Sequence, residues 1–327
     1  MALAALNTRW VAKETPELHV GAGVLADVGA CVAALGIARP LVVSDPGVTA
    51  AGWTDRVVAE LRAAHLDPAP WPGVRPDPDI DVVRRCRAEL DGHDGIVAVG
   101  GGSVIDAAKA CAGLAAHPGE LSDYEGLSRF TNPGVPVVAV LTTPGSGAEL
   151  SRHATIADGT GRKFAVSGRW LAPRMVLADP ETLATVPNAV AADTALDAML
   201  HAIEAYLARA ATPYTDVCAR IALGMLSTAA VPAVRDGDRA ARAELMAGCL
   251  ASGMAMSNAN ATVVHALGFP LTSEYHIPHG RANALVAPTV LAALADTAPD
   301  RYADLGRLLS TSDDPLNAAF AALRAKL

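Results

Sequence analysis

Short, unbroken hydrophobic runs, each closing in turn-forming residues, recur through the first half of the chain. Leu41, Val42 and Val43 lead through Ser44 into Asp45, Pro46 and Gly47, the apolar residues 96–99 lead into three glycines, and 137–141 lead into Thr142, Thr143, Pro144 and Gly145. Runs of this length that do not alternate with polar residues are the pattern of parallel strands buried on both faces. Between them, residues 24–35 and 55–66 have helical length. The order strand, helix, strand predicts an α/β fold, an open parallel sheet covered on both sides. Such sheets bind ligands at the carboxyl ends of their strands.

Beyond about residue 187 the strand pattern stops. Segments rich in Ala, Leu and Met at 188–209, 214–231, 239–257 and 284–295 predict an all-α second domain, with the proline-bounded stretch 179–187 as the joint. Catalysis is expected in the cleft between the two domains.

Composition narrows the function. With 51% hydrophobic residues the chain can build a large core, and disorder is excluded. A net charge of −8 argues against a general nucleic-acid or anionic-membrane surface, so small diffusible ligands are the better expectation. The start lacks the basic and apolar regions of a secretory signal, and no uncharged apolar run reaches the roughly 18 residues of a membrane span. Five scattered cysteines with no C-x-x-C pair indicate neither a disulfide framework nor a thiolate metal site. A cytoplasmic protein with no nucleic-acid or membrane partner is expected.

The glycines after residue 99 open straight into a helical segment, Gly100, Gly101, Gly102 and Ser103 followed by VIDAAK. Glycines let backbone approach a phosphate, and the first helical N–H groups supply an anion site; a plain tight turn is the alternative. It is not the common G-x-G-x-x-G fingerprint, because Ile105 holds the last glycine position. Asp45, at a strand end, is either a turn former or the carboxylate that accepts hydrogen bonds from an adenosine ribose. In the second case it would repel a 2′-phosphate and favour NAD(H) over NADP(H).

Asp197 and His201 are four residues apart in a helical stretch, so carboxylate and imidazole share one face and can chelate one ion. His265 and His279 follow. Singly each histidine reads as a hydrogen-bonded core residue; together the four suggest three imidazoles and a carboxylate around Fe2+ or Zn2+, a site able to polarise a hydroxyl or carbonyl oxygen.

These motifs, GGGSVIDAAK, TTPGSGAE, DPETL, DAMLHAIEAY and HALGFPL with HIPHGRANALVAP, together resemble the iron-containing, or group III, alcohol dehydrogenases. The resemblance implies a dinucleotide-binding α/β domain of the dehydroquinate-synthase type over 1–183 and a helical metal-binding domain over 184–327. It also implies NAD(H), a divalent metal and a homodimer. Carried over by position, the metal ligands are Asp197, His201, His265 and His279, and the pyrophosphate contacts are Gly101, Gly102 and Ser103. Asp45 falls at the ribose, Thr142, Thr143, Ser146 and Ser151 fall on the loop lining the cofactor, and Lys163 falls near its ribose. The implied activity is hydride transfer between nicotinamide and a small alcohol, aldehyde or keto substrate.

The chain departs from the pattern at Phe269, where the family usually carries a second histidine near nicotinamide and substrate. A phenyl ring relays no proton, which leaves that role to His153, His276 or ordered water. Arg281 and the Arg152–His153 pair read as surface charge or, alternatively, as groups for an anionic substrate. The chain ends at Leu327, earlier than such proteins commonly do, so the last helices of the second domain are expected to be absent or unusual. Two other functions compete: a sugar-phosphate cyclase, which shares fold, NAD and metal, and a non-catalytic nucleotide- or metal-binding relative.

Overall fold

In the computed structural model, which describes residues 9–13, 16–309 and 314–327, the chain folds as two compact units. Residues 16–143 together with Ala148–Val186 form one; residues 9–13, the short segment Pro144–Gly147 and the chain from Pro187 onward form the other.

The first unit is built on a six-stranded parallel sheet. Its strands are β1 (Glu17–Val20), β2 (Pro40–Val43), β3 (Ala69–Trp71), β4 (Gly95–Gly100), β5 (Val137–Leu141) and β8 (Met175–Ala178), in the spatial order β1-β8-β5-β4-β2-β3. The central strands β2, β4, β5 and β8 are buried at every residue; the apolar runs at 41–43, 96–99 and 137–141 predict the first three, and β8 is not among them. Val97 pairs with Val42 on one side and Val138 on the other. Alternate residues Val97, Val99, Val138 and Val140 join Leu177, Val28, Val32, Val57 and Leu61 in one cluster under α1 (Val28–Ala34) and α3 (Trp53–Ala63). Period-two alternation turns Ile96 and Ala98 to the opposite face, where α5 (Gly102–Leu114) packs on β4. A further two helices, α2 (Pro46–Ala50) and α4 (Ile80–Glu89), complete the α/β layer.

Hydrophobic runs do not reveal the antiparallel hairpin of β6 (His153–Ala157) and β7 (Lys163–Ser167). Its strands carry polar residues on one side, and its turn is tied by Asp158, whose carboxylate accepts from the Thr160 and Arg162 amides.

The second unit is helical: α6 (Asn188–Leu207), α7 (Pro213–Val231), α8 (Arg239–Ala259), α9 (Val263–Tyr275), α10 (His279–Leu294), α11 (Pro299–Leu309) and α12 (Leu316–Lys326). The predicted segments 188–209, 214–231 and 239–257 correspond to α6, α7 and α8. The fourth begins five residues earlier than 284, because His279 and Gly280 form the first turn of α10. Helix α9, which carries an internal Pro270, is not among the predicted segments. By length and composition 213–236 is apolar enough to cross a membrane; here α7 packs along α6 and α8, with 44% of its most apolar window buried.

Candidate active site

Helices α6, α9 and α10 bring Asp197, His265 and His279 together, with one ligand atom from each lying within 4.8 Å of the others. Asp197 and His265 are buried, and His265 Nε2 stands 3.4 Å from Asp197 Oδ1 without a hydrogen-bond partner. A buried nitrogen of this kind, aimed at a buried carboxylate and a second imidazole, fits a divalent metal with N and O ligands.

His201, one turn after Asp197, stacks its ring on that of His265 at 4.4 Å between centroids. Its Nδ1 faces the Gly145 carbonyl at 3.1 Å, and a proton there leaves Nε2 as the ligand atom. It lies outside the tight group of three; its Nδ1 is 4.0 Å from Asp197 Oδ2.

Electrostatics follow from burial and neighbours. Burial disfavours the Asp197 carboxylate, but the imidazoles of His201, His279 and His265 outweigh it and hold the group well below the usual carboxylate range. Burial pulls His201 down to about 4, against the attraction of Asp197. Burial acts the same way on His265, yet the neighbouring carboxylates of Asp197 and Glu204 push it up to about 9.

Close approach of the helices depends on Gly280. A Cβ there would sit 2.0 Å from the Asp193 carbonyl oxygen and 3.1 Å from the Asp197 Cβ, so only glycine lets the start of α10 reach α6. Sequence reasoning missed two polar residues around the ligands. Asn283 donates to Asp197 Oδ1 at 2.9 Å and lies 3.2 Å from His279 Nε2; Glu204 bonds His265 Nδ1. Their signal was helical spacing: Glu204 is seven residues after Asp197, and Asn283 four after His279.

Of the residues considered for proton transfer or substrate, Phe269 lies with its ring 5.5 Å from that of His279. His276 is exposed, in left-handed backbone at the end of α9. His153 belongs to the other unit, at the start of β6. Arg281 makes a two-pronged contact with Asp193, 3.0 and 3.1 Å, and the Arg152 Nε is buried without a hydrogen-bond partner.

In the sheet unit, β4 ends at Gly100 and α5 begins at Gly102, with Gly101 as its cap and Ser103 in its first turn. A Cβ on Gly101 would come within 1.9 Å of the Thr143 Oγ1, which explains the glycine without reference to a ligand. Asp45 caps α2, accepting from the Val48 amide at 2.9 Å. Thr142 is buried, and its hydroxyl finds no partner. Ser146 goes with the helical unit. Lys163 pairs with Asp77 at 2.5 Å.

The apolar helix α5 hides a charge that sequence reasoning passed over. Lys109 is fully buried and donates to the Ala148 carbonyl at 2.8 Å, to Ser151 Oγ at 3.0 Å and to the His153 carbonyl. It thereby anchors the loop that carries Ser151 and His153. Beside it, both carboxylate oxygens of Glu149 are buried without a hydrogen-bond partner, and burial pushes this group up to about 7.

The chain matches the profile of the iron-containing alcohol dehydrogenases over residues 15–180 and that of the C-terminal domain of the same family over residues 191–325. It belongs to the iron-containing alcohol dehydrogenase family. Among its relatives are the NAD-dependent methanol dehydrogenase of Bacillus methanolicus, 33% identical over 95% of this chain and 82% of that one, and the 1,3-propanediol dehydrogenase of Klebsiella pneumoniae, 35% identical over 93% and 80%. A crystal structure of a 1,3-propanediol oxidoreductase superposes with a TM-score of 0.94 at 32% identity, covering 97% of this chain and 87% of the other. The chain is an oxidoreductase, an alcohol dehydrogenase that works with NAD and a divalent metal, and the cyclase alternative is left without support.

Proposed function

We propose that this dehydrogenase interconverts a small, uncharged alcohol and its aldehyde or ketone. Asp197, His201, His265 and His279 hold the divalent metal, Fe2+ or Zn2+. The observation that carries the reading is the buried convergence of Asp197, His265 and His279 within 4.8 Å. When bound, the metal supplies Lewis acidity to a substrate oxygen. The chain's own residues set the stage: Gly145 orients His201, Asn283 orients Asp197, and Phe269 presents an apolar ring beside His279. Because Phe269 carries no proton, His153, His276 or water takes that role. Arg281 is engaged by Asp193, which favours an uncharged substrate over an anionic one.

The sheet unit, residues 16–143 with Ala148–Val186, serves as the dinucleotide-binding domain and the helical unit as the metal-binding domain. The backbone of Gly101, Gly102 and Ser103 takes the pyrophosphate, Asp45 and Lys163 face the ribose, and Thr142, Thr143, Ser146 and Ser151 line the cofactor. A cytoplasmic homodimer with no nucleic-acid or membrane partner completes the reading.

The test is NADH oxidation by metal-reconstituted protein across short aldehydes, ketones and keto acids. Turnover is expected with uncharged carbonyls and is expected to vanish on exhaustive chelation and in His265→Ala. Full activity with no metal bound would refute the reading.

A further inference from the structure

Glu204 is fully buried and divides its two oxygens between two tasks. Oε1 accepts from the Thr262 amide at 3.1 Å, the Thr262 hydroxyl at 2.7 Å and the Val264 amide at 2.8 Å, all at the start of α9. Oε2 bonds Nδ1 of His265, one residue further along the same helix. The first-turn amides of a helix have no partner within it, and at α9 no side chain of its own N-cap residue, Thr262, supplies one. A carboxylate from α6 does so instead. Burial disfavours its charge, but the bonds from His265, Thr262 and Val264 outweigh that and hold the group below its ordinary value.

Glu204 also lies on the same face of α6 as Asp197 and His201, seven and three residues before it. One helix face therefore presents two candidate ligands and the group that orients a third. With Nδ1 of His265 bonded to Glu204, Nε2 is the atom turned toward Asp197, where Oδ1 is 3.4 Å away.

We propose that Glu204 is a positioning residue for the metal site, locking the tautomer and ring orientation of His265 while pinning the first turn of α9 to α6. The inference rests on the metal-binding reading above. Its chemistry separates the two tasks cleanly. In Glu204→Gln the amide oxygen can still serve the three donors of Thr262 and Val264, which turns the NH2 toward His265. A donor then faces Nδ1, so the imidazole must accept there and carry its proton on Nε2, the wrong tautomer for a ligand. Glu204→Ala loses both tasks.

The experiment measures Co2+ affinity by competition with a chelator, the visible ligand-field spectrum of the Co2+ form, and thermal unfolding of the metal-free protein. Glu204→Gln is expected to unfold within a few degrees of wild type, to bind Co2+ about 10–100-fold more weakly and to show an altered spectrum. Glu204→Ala should lose both affinity and thermal stability. Wild-type affinity and spectrum in Glu204→Gln would overturn the inference while leaving the metal site intact. A wild-type chain that binds no Co2+ would instead overturn the metal reading, and the inference with it.

Discussion

The rings of Phe269 and His279 lie 5.5 Å apart and tilted by 35°, so an apolar side chain that is 38% exposed borders a candidate metal ligand. Four residues separate Phe269 from His265 on α9, which puts both on one helix face. An exposed aromatic ring in this position is suited to an alkyl group.

Phe269→His is expected to lower kcat/KM for uncharged aldehydes, because an imidazole placed against an apolar substrate is desolvated without a partner. General acid–base help is worth about 10²–10⁴-fold, so a gain of that order would show that a proton relay is simply missing here. Kinetics across pH, run beside His153→Ala, separate the cases: a gain in the first with no effect of the second refutes the expectation.

Coenzyme choice tests Asp45. Since its side chain caps α2, glycine or alanine would confound charge with helix stability, whereas asparagine caps equally well. Asp45→Asn should keep the fold and shift selectivity toward NADP(H) by about 1–3 kcal/mol, the range for a contact with a charged group. Steady-state constants with both coenzymes measure this, and a wild-type preference for NADPH would contradict the assignment.

Glu149 makes stability depend on pH. Burial raises its carboxyl from 4.5 to about 7, so between those values the folded chain binds more protons than the unfolded one. Its contribution is fully present below 4.5 and is lost as pH rises toward 7. The loss is about 3 kcal/mol. Urea unfolding of wild type and Glu149→Gln from pH 4.5 to 8 should show the variant's curve flatter over this window; parallel curves would contradict the prediction.

Gly280→Ala should be costly for its size. The added methyl would meet the Asp193 carbonyl oxygen at 2.0 Å, and relieving that moves α10 off α6, at about 1–3 kcal/mol. A lower melting temperature together with weaker Co2+ binding is expected. Wild-type values for both would show that the two helices yield without disturbing the site.

Local pattern was enough for the parts of this protein whose cause is local. The buried strands at 40–43, 95–100 and 137–141 are legible because a strand covered on both faces needs an unbroken apolar run. Asp197 and His201 share a face because four residues make about one helical turn. The hairpin β6–β7 and α9 escaped; strands that mix polar and apolar residues blur the period that reveals a hairpin. What packing alone decided is the partnership of distant residues: His265 with Glu204 across 61 positions, Asn283 with Asp197 across 86, and Lys109 with the loop at 148–153. Periodicity tells which face of a helix a residue occupies, but not which other helix will cover that face. That choice belongs to side-chain volumes and buried hydrogen-bonding groups satisfied across the whole helical unit, and it turned a row of separate histidines into a site.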